Sequence, residues 1–308
     1  MTIGDLPGWL GTWCSDQLGA GMREVFFHRS QMSLVLGLRL FDGREVAVKA
    51  RPDENGRAHS CVAAQEQLAD RGYPCAPPLT PVTTVEGLSV HAEQWRPGGS
   101  VMRSDRPTAA RRMARLFGVL MEELTHVDVP PPLPNPHWLR WDHRDAGVWP
   151  VMMEFLDRRN QSLIPGFVIQ TAHRAAQRLR RSDLPNVLGH GDFEAQNIRW
   201  QGDAPRVVHD WDSLCWLPEA ALAGAASGAF ASTEVPTLAP VQSSVAFIDE
   251  YQLTRGRPFT ANEMAVAWAA SLWPAARNAR AQALFGHRPV AVEALRAQAG
   301  ERLARAGA

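Results

Sequence analysis

The sequence predicts an α+β fold of two lobes: a small antiparallel-sheet lobe with one helix over residues 1–96, and a larger, mainly helical lobe over 97–308. Three observations predict it. Short alternating runs rich in β-branched and aromatic residues dominate up to Trp95. The texture changes at Arg96-Pro97-Gly98-Gly99, a hinge candidate. Beyond that point apolar residues recur at helical spacing almost to the end of the chain.

Element by element, residues 5–19 read as an amphipathic helix through Leu6, Trp9, Leu10, Trp13 and Leu18. Strands follow at 23–27, 33–41 and 45–50, the last two joined by Asp42-Gly43, a two-residue hairpin signal. A helix is expected over 57–71, then strands at 79–85 and 88–95 joined by Glu86-Gly87. In the second half, helices are expected over 107–126, 149–159, 165–182, 219–231, 239–254, 260–284 and 290–306. The Pro-rich run from Pro130 to Pro136 reads as an extended loop. Two short strands, 197–200 and 206–209, turn at Gly202-Asp203. The arginines of the last helix, Arg296, Arg302 and Arg305, read as its solvated side.

Composition narrows the function. The 308 residues carry 32 basic and 32 acidic side chains, a formal net charge of zero. A general nucleic-acid binder normally shows a basic excess, so no nucleic-acid partner is expected. No apolar run is long enough for a membrane span, and residues 1–5 resemble no secretory leader. Four cysteines without a C-x-x-C pair suit a reducing, cytoplasmic setting and no zinc site. Nothing in the pattern calls for an oligomer, and monomer is the default. Of the 32 basic side chains, 31 are arginine; the single lysine, Lys49, lies in the apolar run Val46-Ala47-Val48-Lys49.

The strongest local signal is Gly189-His190-Gly191-Asp192-Phe193-Glu194-Ala195-Gln196-Asn197, followed by Val207-Val208-His209-Asp210-Trp211-Asp212. Asp192 and Asn197, five positions apart, can bracket a tight loop, and a short hairpin brings back a further carboxylate, Asp210. Phosphoryl transfer needs such a set: a carboxylate to orient and deprotonate an attacking hydroxyl, and oxygen donors for Mg²⁺ on a triphosphate.

His-Gly-Asp-x-x-x-x-Asn with a later apolar-apolar-x-Asp resembles the aminoglycoside phosphotransferase and choline-kinase-like family, small-molecule kinases with a protein-kinase-like fold. Leu116–His126 is similar to a helix of that family ending in Leu-x-x-Leu-His. The resemblance implies that Asp192 is the catalytic base, that His190 supports the loop, and that Asn197 and Asp210 bind Mg²⁺. It also implies that Lys49 holds nucleotide phosphates, with Glu66 on the following helix as its ion-pair partner. Adenine of ATP, or guanine of GTP as an alternative, is expected against the Glu93–Arg96 segment, including Glu93 and Trp95.

The chain departs from protein kinases in three places. The turn His28-Arg29-Ser30-Gln31-Met32-Ser33 lacks the glycine-rich phosphate loop, leaving Ser30 as a candidate phosphate donor. Asp212 stands where protein kinases have glycine, as a second metal ligand or a loop cap. Gly191 replaces the arginine that reads a phosphorylated activation loop. The expected activity is transfer of the ATP γ-phosphate to a hydroxyl of a small molecule: an aminoglycoside or other antibiotic, an amino sugar, a sugar or a choline-like alcohol. A cationic acceptor needs acidic walls, and Glu154, Asp157, Glu219, Glu234, Asp249 and Glu250 are candidates for them. The alternative is a catalytically silent nucleotide-binding module.

Overall fold

The computed structural model describes residues 6–30, 32–53, 55–151 and 154–308. Gln31, one residue of the serine-bearing turn, lies outside them, as does the side chain of Glu154. The chain forms two compact units. The first comprises residues 1–98, 127–133 and 207–212; the second comprises 99–126, 134–206 and 213–308.

The first unit opens with α1 (Leu10–Leu18). Helix formation begins at Leu10 and not at residue 5, because Pro7 and Gly8 are poor helix-interior residues. The Leu10 N–H instead donates to the Pro7 carbonyl. Strands β1 (Met22–Ser30), β2 (Leu34–Leu40) and β3 (Glu45–Pro52) precede α2 (Ala58–Asp70), and β4 (Thr83–Val85) and β5 (Leu88–Gln94) follow. The five strands make one antiparallel sheet in the order β1-β2-β3-β5-β4. The Asp42-Gly43 turn closes the β2–β3 hairpin with Gly43 at φ 89°, a conformation that favours glycine.

Alternation along the strands divides the sheet into two faces. Leu36, Leu38, Leu40, Val46, Val48, Ala50, Val90 and Ala92 are buried against Leu10, Trp13, Cys14 and Leu18 of α1. Each large side chain so buried contributes roughly 1.5–3 kcal/mol of transfer free energy. The residues between them on β3 and β5, among them Lys49, Arg51, His91 and Glu93, take the opposite face. Asp53 starts α2 by accepting from the N–H groups of Arg57 and Ala58.

The second unit holds α3 (Pro107–Glu123), α4 (Glu154–Asp157), α5 (Gly166–Arg180), α6 (Glu219–Ala229), α7 (Val241–Arg255), α8 (Ala261–Phe285) and α9 (Val290–Ala306). Of the expected 149–159 helix, the described residues show α4, which ends at Asp157; residues 152 and 153 lie outside them. Strands β6 (Asn186–His190) and β9 (Leu214–Pro218) pair antiparallel, a two-stranded sheet that sequence patterning missed. Strands β7 (Ile198–Gln201) and β8 (Ala204–Val208) form the expected hairpin.

Helices α6 and α8 approach so closely that a Cβ on Gly224 would stand 2.1 Å from the Ala267 carbonyl oxygen. Helix α8 begins with a capping box between Thr260 and Glu263. Arg296 and Arg305 are exposed as expected, and Arg302 corrects the sequence reading. Arg302 is fully buried, donating to the Ser271 hydroxyl at 2.9 Å, the Ser244 hydroxyl at 2.9 Å and the Ala239 carbonyl at 2.5 Å. Burial pushes its guanidinium down to about 9. Small residues on α7 and α8 leave the space, and fixed oxygens replace water. No helix among the described residues is long and apolar enough to cross a membrane.

Candidate active site

In the first unit, β3 places Lys49 and Arg51 two residues apart, hence on the same face. Lys49 lies opposite His91 in the β3–β5 register, and Ala47 opposite Glu93. Lys49 therefore meets Glu93 diagonally, and its Nζ stands 2.9 Å from Glu93 Oε1. The other Glu93 oxygen accepts from Gln65 Nε2 at 2.8 Å, and the same amide donates to the Ala76 carbonyl at 2.6 Å.

This corrects the expected ion-pair partner of Lys49. Glu66 is exposed, and the partner of Lys49 is Glu93, on a strand. Glu93, expected beside adenine, is turned inward and only 3 % exposed. The reason is helical phase. Cys61, Gln65 and Leu68 form the buried stripe of α2, and Glu66 falls about 100° away from Gln65. The i, i+4, i+7 spacing of those residues was the signal that could have found Gln65.

Burial works to raise the Glu93 carboxyl, but Lys49, the neighbouring histidines and the Gln65 hydrogen bond outweigh it and hold it below the usual range. Beside the pair, burial and the Lys49 charge drive His91 down to about 3, so its ring is neutral near pH 7.

Two residues along from Lys49, Arg51 forms an ion pair with Asp212. The Asp212 carboxylate, a candidate metal ligand by sequence, thus has a guanidinium partner. Asp210 is half-buried with φ at 69°, a left-handed backbone that aspartate tolerates better than most residues. Its flanks are pinned. The Val208 N–H donates to the Pro74 carbonyl at 2.7 Å, Trp211 Nε1 donates to the Val208 carbonyl at 3.1 Å, and Trp211 packs edge-on to Tyr73. These contacts explain why 207–212 belongs with the first unit, although a boundary at 96/97 assigned it to the second. Trp95 packs against Phe26 and Phe27 at ring distances of 5.0 and 5.3 Å. Ser30 is exposed at the end of β1, opposite Leu34.

In the second unit, strand β6 delivers His190 to the start of a tight loop. His190 is buried, and its Nδ1 accepts from the Asp192 N–H at 3.2 Å. That bond assigns the ring proton to Nε2. Asn197 Nδ2 donates to the Asp192 carbonyl at 2.9 Å and to Asp192 Oδ2 at 3.1 Å. The bracketing expected from the five-residue spacing is therefore present.

The loop backbone is anchored at four points. Gly191 donates to Ser213, Ala195 to Phe230, Gln196 to Ser232, and Asn197 to Glu194. Phe193 fills the space beneath, 4.7 Å from the Phe117 ring. A Cβ on Gly191 would lie 2.1 Å from Leu139 Cδ1, so a side chain there would have to displace Leu139.

A family model for a phosphotransferase enzyme family, APH, matches residues 35–239. The chain belongs to that family. The match contains Lys49, Glu93, Asp192, Asn197 and Asp210. No curated protein sequence matches this APH-family chain.

Solved structures share its fold. The amicoumacin kinase hAmiN, in complex with AMP-PNP, Ca²⁺ and Ami, aligns with a TM-score of 0.63 and 12 % identity over 91 % of this chain and 88 % of its own. A thermostable mutant of aminoglycoside phosphotransferase APH(4)-Ia, in ternary complex with AMP-PNP and hygromycin B, aligns at 0.57 and 14 % identity, over 97 % and 99 %. A putative fructosamine-3-kinase from Thermobifida fusca aligns at 0.53 and 17 % identity, over 96 % and 98 %. The protein-kinase-like fold of these APH-family neighbours is the one the sequence motif implied.

The donor set of this APH-family chain suits Mg²⁺ in kind. When Asn197 uses its NH₂ on Asp192, its amide oxygen is left as the coordinating atom, and Asp210 supplies carboxylate oxygen. No group of three or more His, Cys, Asp or Glu placed to hold a metal occurs among the described residues. Each side chain offers the kind of oxygen donor that Mg²⁺ prefers.

Proposed function

We propose that this chain transfers the γ-phosphoryl group of ATP, with GTP as an alternative donor, to a hydroxyl of a small molecule. The observation that carries the reading is the Asp192–Asn197 bracket in a chain of the phosphotransferase family. In this reading Asp192 accepts the proton of the attacking hydroxyl. The acceptor oxygen forms its bond to γ-phosphorus as the bond from γ-phosphorus to the β-bridging oxygen breaks, and the nucleoside diphosphate leaves.

Asn197 keeps Asp192 in one rotamer, and His190 fixes the backbone beneath it. Glu93 and Gln65 position the Lys49 ammonium, which neutralises phosphate charge. Asn197 and Asp210 would hold Mg²⁺, which supplies charge neutralisation on the triphosphate. Trp95 and the backbone that follows it would meet the nucleotide base, because the Glu93 carboxylate is already engaged. Catalysis then rests on positioning and electrostatics.

Asp192→Ala is expected to abolish transfer while nucleotide affinity, read by calorimetric titration, stays within a few-fold. Wild-type turnover in that variant would refute the mechanism. Nucleotide binding by the wild-type chain, with no transfer to any hydroxyl compound, would favour the silent module.

A further inference from the structure

The recess in which Asp192 sits lies within the second unit. Its apolar walls include Trp138, Leu139 and Pro274, and its charged lining is Asp192, Glu194 and Arg277. Glu194 is buried and already accepts from Gln196 Nε2 at 2.8 Å. Arg277 projects from α8, one turn beyond Pro274. Its Nε is buried and has no hydrogen-bond partner among the described residues. An unsatisfied buried N–H on a charged group costs free energy, and that cost is relieved by an acceptor oxygen.

The acidic residues that a cationic substrate would require point the same way. Asp157 is paired with Arg280 at 2.9 Å, and Glu219 with Arg255 at 3.0 Å and Arg257 at 2.7 Å. Glu234 is bound by both terminal nitrogens of Arg103, and Glu250 by Arg115 at 2.6 Å. None of these carboxylates lines the recess. Asp249 is exposed and also outside it.

We infer that the acceptor is a small hydroxylated anion: its carboxylate or phosphate group is held by Arg277, which brings a hydroxyl of the same molecule to Asp192. The inference rests on the phosphotransferase reading and deepens it. A guanidinium is always charged near neutral pH and offers planar, paired donors that match carboxylate and phosphate oxygens. The same recess disfavours a polycation, which would meet Arg277 with like charge and find, among the described residues, only Asp192 and the engaged Glu194 in return. Trp138 supplies a flat apolar wall for the carbon skeleton.

The test is a transfer assay on matched acceptors: gluconate, glycerate and 3-phosphoglycerate against glucose and glycerol, and against choline and kanamycin. Wild-type protein, Arg277→Gln and Arg277→Lys are compared. Binding of gluconate and glucose is read in parallel by saturation-transfer NMR.

The expected result is transfer confined to the anionic acceptors. Arg277→Gln should raise their KM by about 10- to 100-fold, the loss expected for a hydrogen-bonded charge. KM for ATP and the melting temperature should stay unchanged, and Arg277→Lys should recover part of the loss. Gluconate serving over 3-phosphoglycerate would identify the anion as a carboxylate, and the reverse a phosphate. Preferred use of kanamycin, choline or glucose, or an unchanged acceptor KM in Arg277→Gln, would overturn the inference and leave the phosphotransferase reading standing. Arg277-dependent gluconate binding with no ATP consumed on any acceptor would do the opposite. Absence of any anion-dependent binding or transfer refutes the inference outright.

Discussion

At the scale of single residues, the charge that matters most is organised by one buried carboxylate. Glu93 holds Lys49 with one oxygen and Gln65 with the other, so the ammonium is fixed from the sheet and not from the helix. This separates the roles of two glutamates that sequence alone could not rank. Glu93→Gln keeps the shape and removes the charge; it is expected to raise KM for ATP about tenfold, the scale of one charge-assisted hydrogen bond. Glu66→Gln, on the exposed side of α2, should stay within about twofold, as surface substitutions do. Steady-state kinetics on both variants decide the assignment, and a larger effect at Glu66 would reverse it. Asp192 shows the complementary case. There the spacing to Asn197 was enough, because a five-residue loop leaves few ways for the two side chains to meet.

At the scale of elements, glycines mark where backbones must touch. Gly191 admits Leu139 beside the catalytic-loop candidate, and Gly224 admits the backbone of α8 against α6. Neither position has a positive φ among the glycines that do, so the requirement is space and not conformation. At Gly224 the obstacle is a carbonyl oxygen, which cannot rotate away as a side chain can. Gly224→Ala is expected to destabilise the protein by about 1–3 kcal/mol, the usual cost of overpacking, seen as a lower melting temperature. An unchanged melting temperature would show that the helices can separate at no cost. Helix α9 carries the same lesson in polar form. Its alternation suggested a solvated arginine side, yet Arg302 sits among Ser244, Ser271 and Ala239 with its donors engaged.

At the scale of the whole chain, composition itself supplies an experiment. A chain with 31 arginines and one lysine has a single ε-amine, and it stands in the Glu93 ion pair with a fifth of its side chain exposed. An amine-acylating reagent should therefore modify only Lys49 and the α-amino group. Modification at Lys49 should abolish transfer, and saturating ATP should slow it, with peptide mapping to assign the site. Full activity after quantitative modification of Lys49 would remove this residue from the mechanism. The compact units also differ from a simple cut of the chain. Residues 207–212, with Asp210 and Asp212, group with the first unit although they follow the Asp192 loop in sequence.

Most of the elements, the Asp42-Gly43 hairpin, the sole lysine on its strand and the Asp192–Asn197 loop are legible in the amino-acid sequence alone; the β6–β9 pair is not. Each legible feature is written in local periodicity, turn chemistry or short spacing. Only packing decided the partner of Lys49, the engagement of Asp212 by Arg51, the burial of Arg302 and the presence of Arg277 in the lining of the recess that holds Asp192. Those arrangements join residues far apart in sequence. They depend on helical phase, strand register and the space that small side chains leave, which only packing fixes.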